Sequence, residues 1–218
     1  MSYEDADTIA SNVGRGLRVL GQEPNKPLCV FADTRAEWMI SAQAAFKQSF
    51  HVVTLYTNLG EDAVIHGINE TQAETVITSH ELLPKFKKIL ASTPSVKNIV
   101  YFENPIKKTP TDGSNPENDI LKHSITNLYT GFREDVVLST FWKVESLGKK
   151  ADPEDTEPVA PTPETPCIIM YTSGSTGLVI HCFQLTFYNE IKYIKGTRKE
   201  LSSLMLISST PSTPSFMS

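Results

Sequence analysis

Cys167-Ile168-Ile169-Met170-Tyr171-Thr172-Ser173-Gly174-Ser175-Thr176-Gly177 is the stretch on which the fold turns. Four apolar or thiol side chains and a tyrosine run into six residues drawn only from Gly, Ser and Thr. The first half has the composition of a strand buried on both faces. The second half resists helix and sheet alike. Gly174 and Gly177 permit positive φ, so the chain can bend tightly and turn its N–H groups toward one point. The hydroxyls of Thr172, Ser173, Ser175 and Thr176 add donors to that point. Donors gathered at the end of a strand make a cradle for phosphate oxygens. A flexible linker is the plain alternative for a Ser/Gly hexapeptide, but the strand running into it argues against that.

Working outward, the same strand-then-turn signal recurs upstream. Ile9, Val13, Leu17 and Leu20 share one helical face, and Gly21 is a stop. Leu28–Phe31 is a short buried strand. Thr34 and Glu37 have capping-box spacing ahead of a helix carrying Trp38, Met39, Ala42, Ala45 and Phe46. Strands follow at 52–56, 75–78 and 99–102, with helices at 62–68 and 82–90 between them. A further strand is read at 136–140 and a helix at 141–147. Strands alternating with helices across short turns specify an α/β fold with a largely parallel sheet. Residues 103–118 read as a surface loop. Five prolines and five acids between Lys150 and Pro166 make an extended, solvated connector.

Two phosphate-binding motifs are excluded. No G-x-x-x-x-G-K-[ST] spacing exists, and Gly14-Arg15-Gly16 lacks both the third glycine and the preceding strand of a dinucleotide fingerprint. A net charge of −5 over 218 residues argues against a partner bound through nucleic-acid phosphates. The three cysteines, Cys29, Cys167 and Cys182, are scattered, which points to a reducing compartment and no disulfide framework. Neither they nor the five dispersed histidines have metal-site spacing. No apolar run reaches the roughly 18 residues of a transmembrane helix. Asn69-Glu70-Thr71 fits a glycosylation sequon, read as fortuitous without a secretory signal.

Tyr171–Gly177 resembles the nucleotide-binding motif of the adenylate-forming superfamily, which acyl-CoA synthetases carry as [YF]-T-S-G-[ST]-T-G-x-P-K-G. Asp33–Ile40, Val53–Tyr56, Leu59–Gly67 and Asn69–Thr71, in that order, are similar to the long-chain fatty acid–CoA ligases of eukaryotes. The likeness runs from Ser2 to about Leu178. It implies the partial N-terminal lobe of an adenylate-forming enzyme at 1–150 and the connector at 151–166. At 167–178 it implies a strand and phosphate-binding loop. It also implies that Thr172, Ser173, Gly174, Ser175, Thr176 and Gly177 meet ATP phosphates. ATP and magnesium are the cofactors of such a ligase, and long-chain fatty acid and CoA its substrates.

The pattern then breaks. Val179, Ile180 and His181 stand where the family has Pro, Lys and Gly. Residues 179–218 follow no family pattern, and seven serines after Leu201 suggest a poorly ordered tail. A spliced or frame-shifted continuation accounts for this. With no catalytic residue or metal ligand assigned, the chain is expected to be catalytically incompetent and to bind ATP weakly or not at all. The alternatives are a non-catalytic interaction fragment, with a full-length subunit as partner, and an unstable product. Family members carry a membrane anchor ahead of this region. Met1 aligns within their catalytic domain, so a cytoplasmic location is expected here, against endoplasmic reticulum, mitochondrial outer membrane or lipid-droplet surfaces for the parent family.

Overall fold

The computed structural model describes residues 2–103, 131–163, 165–174 and 177–184. Those residues fall within one compact unit, Met1–Leu185. Its centre is a seven-stranded sheet in the order β5-β4-β3-β1-β2-β6-β7. The strands are β1 (Pro27–Phe31), β2 (His51–Thr54), β3 (Thr75–Ser79), β4 (Asn98–Phe102), β5 (Val137–Thr140), β6 (Pro166–Gly174) and β7 (Gly177–Gln184). Every pairing is parallel except β6 with β7. The helices are α1 (Tyr3–Val19), α2 (Ala36–Lys47), α3 (Glu61–Thr71), α4 (Leu83–Ile89) and α5 (Phe141–Lys150).

The apolar runs alternate between two faces, as a period of two requires. Leu28, Val30, Val52, Ile77, Val100 and Phe102 point to the side packed by α1, α2 and α5. Cys29, Phe31, Val53, Val76 and Ile99 point to the side packed by α3 and α4. Each fully buried aliphatic or aromatic side chain contributes about 1.5–3 kcal/mol, so a sheet covered on both faces explains why the strands read as unbroken apolar runs. The largely parallel α/β fold is as the alternation implied.

One local expectation, the capping box at the start of α2, is revised. Thr34 does not cap α2: Arg35 occupies the cap position and no side chain bonds there. Glu37 is instead gripped by the Arg35 guanidinium, Nε to Oε2 and Nη2 to Oε1 both at 2.8 Å, so it cannot reach back. The motif strand is interior to the sheet, with β2 on one side and β7 on the other. Residues 179–184 of the non-family segment are strand, and the rest of that segment lies outside the described residues. The apolar, β-prone character of 178–183 supplies the reason: it meets an open edge of a buried strand.

The connector is solvated but not loose. Gln48 donates to the Thr156 carbonyl at 3.3 Å and Ser49 Oγ to that of Val159 at 2.5 Å. The Thr156 side chain folds inward and is 3% exposed. These tethers hold the chain beside the start of β2, which delivers it to β6 in register. The surface loop expected at 103–118 lies outside the described residues from 104 on.

Candidate functional site

The carboxyl ends of the parallel strands are where such sheets hold ligands, because helix N-termini and connecting loops converge there. A cavity of about 400 Å³ opens there, lined by Ala32, Asp33 and Thr34 after β1, Thr54–Asn58 at the end of β2, and Trp38, Ile168 and Met170. Its lining mixes apolar side chains with the polar ones of Asp33, Thr34, Thr54, Thr57 and Asn58. Thr57 Oγ1 donates to Asp33 Oδ1 at 2.6 Å, closing the rim between the loops that follow β1 and β2.

Strand β6 passes this cavity and overshoots. Its last partner on β2 is Thr54, opposite Met170. Tyr171, Thr172, Ser173 and Gly174 therefore project beyond β2, and their β2-facing edge has no neighbouring strand among the described residues. The other edge is taken: Thr172 pairs with Val179, Ser173 with Leu178 and Gly174 with Gly177.

The predicted site residues are thus divided. Thr172, Ser173 and Gly174 close β6, and Gly177 opens β7. Ser175 and Thr176 lie outside the described residues. The cradle imagined as an open glycine loop has the frame of a β-hairpin, with only one edge of β6 left to meet a ligand.

Tyr171 is held from the opposite face. Its ring is 3% exposed, and its hydroxyl donates to Glu70 Oε2 at 2.9 Å, with the Gly67 carbonyl at 3.4 Å. The same Glu70 oxygen lies 3.1 Å from His66 Nε2, and the His66 ring stands edge-on to that of Tyr171, centroids 6.5 Å apart. Burial, and then the bonded Glu70 carboxylate, push the Tyr171 phenol above its ordinary pKa. Glu70 was read as part of a sequence string and not as a site residue. The two strings are 101 residues apart in the chain, and nothing local couples them.

Next to the cavity, the Arg35–Glu37 pair lies across the sheet's turning point between β1 and β3. The Arg35 guanidinium carbon sits 5.4 Å from the Phe102 ring centroid, and Nη2 donates to the Glu103 carbonyl at 3.4 Å. Burial works against the Glu37 charge, yet the Arg35 fork holds its carboxyl below the ordinary value. Arg35 is consequently engaged as a strut and not offered to a ligand.

Among the described residues no three His, Cys, Asp or Glu side chains cluster as a metal site. Nor is any described helix long and apolar enough to cross a membrane.

Residues 1–179 match the family described as AMP-binding enzyme. The chain is 36% identical over 177 residues to long chain acyl-CoA synthetase 8 of Arabidopsis thaliana, covering 81% of this chain and 22% of that protein. It is 33% identical over 198 residues to long-chain-fatty-acid–CoA ligase 4 of Saccharomyces cerevisiae, covering 90% and 28%. The chain therefore spans about a quarter of the length of these relatives. The adenylation domain of a carboxylate reductase from Mycobacterium chelonae superposes with a TM-score of 0.70 at 16% identity, over 90% of this chain and 30% of that one. The A-PCP didomain of carboxylic acid reductase from Segniliparus rugosus, in complex with AMP, gives 0.66 at 17%, over 84% and 25%. At those identities the likeness is one of fold.

Proposed function

The chain belongs to the AMP-binding enzyme family, and on that footing we propose that the free edge of β6 above the cavity is a nucleotide-binding half-site of a long-chain fatty acid–CoA ligase. The observation that carries the reading is the overhang of Tyr171–Gly174 past the end of β2, beside the cavity at the carboxyl ends of β1 and β2. Backbone N–H groups on that edge are the kind of donors a triphosphate needs. In the complete reaction a fatty acid carboxylate attacks the α-phosphorus of ATP, pyrophosphate leaves, and the acyl group passes from AMP to the CoA thiol.

Residues 1–218 supply the cradle without the charge. Ile180 stands where the family motif has lysine, and one charged hydrogen bond to phosphate contributes about 1.5–3 kcal/mol. Binding of ATP is accordingly weak, with Kd near millimolar, about −4 kcal/mol. These residues do not by themselves carry either half-reaction.

Titration with ATP, followed by the fluorescence of Trp38 in a Trp142→Phe background, tests the site: a saturable change in the millimolar range is expected. An ATP-dependent acyl-CoA assay tests the inactivity. Turnover is expected only from a version carrying the family's continuation after Leu178. Turnover by residues 1–218 above a heat-killed control would overturn that part of the reading.

A second reading is a non-catalytic fragment that pairs with a full-length subunit. Two apolar side chains near the cavity favour it: Tyr56 on the rim is 56% exposed and Met39, next to Trp38 on α2, is 52% exposed. Sedimentation of the chain mixed with a full-length ligase, where a shifted boundary is expected, tests it.

A further inference from the structure

We infer that Glu70 is the positioning residue of the motif strand, acting through Tyr171 to fix where Thr172–Gly174 stand over the cavity. The inference concerns the free protein and deepens the nucleotide-site reading, on which its functional meaning rests.

The argument starts from where β6 loses support. Up to Met170 the parallel ladder with β2 sets its position. From Tyr171 onward that ladder is gone, and β7 holds only the other edge. A two-stranded ribbon without further support is marginal in water. The first unsupported residue is the one whose side chain is anchored. Tyr171 Oη donates to a carboxylate, a charge-assisted bond stronger than a neutral one, and the ring is buried.

Glu70 is itself oriented. His66, one helical turn earlier on α3, faces the same Oε2 at 3.1 Å, so the carboxylate is held toward β6 rather than swinging into solvent. The absence of a side chain at Gly67 leaves room for the approach of α3. A Cβ there would lie 2.8 Å from Leu55 Cδ2 and 3.4 Å from Tyr171 Cε2. The helix thus comes close enough for Glu70 to reach the hydroxyl, and Leu55 at the cavity wall is seated by the same contact. Tyr56, Lys85 and Glu61 do not share this bond: Lys85 donates to the Leu59 carbonyl, and Glu61 pairs with Lys88.

Amide hydrogen exchange of the full chain, without nucleotide, tests the inference. Tyr171→Phe, which fills the same space, and Glu70→Ala are expected to speed exchange at 171–174 at least tenfold while α1 and β3 keep their protection. Glu70→Gln retains a carbonyl acceptor and is expected to recover most of that protection, while the loss in Tyr171→Phe, which removes only the bonding hydroxyl, is what a purely space-filling role would not predict. Unchanged exchange at 171–174 in both Tyr171→Phe and Glu70→Ala, an equal rise throughout the sheet, or Glu70→Gln as damaging as Glu70→Ala would each overturn it. Adding ATP to the wild-type chain separates the two ideas. Failure of ATP to slow exchange at 171–174 counts against the nucleotide site, while the comparison of variants without nucleotide decides Glu70.

Discussion

Gly148 and Asn12 meet backbone to backbone: a Cβ placed at 148 would lie 1.8 Å from the Asn12 carbonyl oxygen. The same crossing brings Gly16 against Val144, where a Cβ would fall 2.0 Å from the carbonyl oxygen. Helices α1 and α5 therefore touch along their main chains, and the Asn12 amide reaches Glu145 Oε1 at 2.6 Å. Neither atom struck is the end of a flexible side chain, so nothing local can yield. Gly148→Ala is expected to cost about 3 kcal/mol or more by forcing the helices apart, whereas Gly60→Ala, with open space around it, is expected to stay near neutral. Urea denaturation of the two variants checks the contrast.

Arg35 and Glu37 form a two-bond ion pair with both side chains largely sheltered, at 23% and 18% exposure. Lysine cannot reproduce the fork, so Arg35→Lys is expected to cost about 1 kcal/mol. Glu37 has a depressed folded pKa, so its contribution is present above its unfolded value and is lost as pH falls through the folded one. The stability gap between wild type and Glu37→Gln is expected to be full at neutral pH and to close in acid. Thermal melts from neutral pH downward measure it.

Cys29 sits in the middle of β1 with no exposure, and burial alone pushes its thiol up to about 12. A raised folded pKa gives stability that is present below the unfolded value and lost as pH rises toward the folded one. Between about pH 9 and pH 12 the thiol should therefore reduce stability by about 1.4 kcal/mol per pH unit. Cys29→Val is expected to lack that part of the alkaline slope. Denaturation at stepped alkaline pH, compared between the two proteins, checks it.

Arg133 spends its guanidinium on main chain: Nη1 donates to the carbonyls of Leu90 (2.9 Å) and Thr93 (3.4 Å), Nη2 to those of Pro94 (3.4 Å) and Val96 (2.6 Å). It ties the turn before β4 to the approach of β5. Arg133→Ala removes all four guanidinium bonds, although the Leu90 and Thr93 carbonyls keep the backbone donors Thr93 and Val96, and is expected to cost about 1–3 kcal/mol. Arg133→Lys, a single point donor, should recover less than half of that, read by chemical denaturation.

Helix starts separate the genuine caps from the apparent one. Ser2 accepts from the Asp5 amide and Thr140 from that of Lys143, each at 3.1 Å. Ser2→Ala and Thr140→Ala are each expected to lose about 1 kcal/mol. Thr34→Ala, despite its capping-box spacing, is expected to change stability by less than about 0.5 kcal/mol. Parallel thermal melts of the three variants decide it.

Thr34 shows where reading the sequence failed and why. The T-x-x-E spacing is sound, but the intervening Arg35 has a longer reach than the Thr34 hydroxyl and a charge to match Glu37. A local pattern lost to a stronger local partner. The motif strand shows a different limit. Cys167–Tyr171 was legible as a strand from its residues, although only Tyr171 of the five is fully buried, yet its neighbours were not, because edge or interior position depends on which distant segment pairs with it. Leu178–Phe183 supplied that segment, and its β propensity was visible without its destination. The composition of 151–166 could not reveal the hooks from Gln48 and Ser49, since those bonds end on backbone carbonyls that carry no residue signature.

The order of residues by itself determined the alternation of buried strand and amphipathic helix, and with it the α/β layering and the family to which the chain belongs. Those depend on periodicity and short strings, which are local. Tertiary structure alone decided that β6 lies between β2 and β7, that it overshoots β2 by four residues, and that Glu70 meets Tyr171. Contacts between segments about a hundred residues apart are selected by the summed packing of two helical layers on one sheet, and no single stretch of sequence contains that sum.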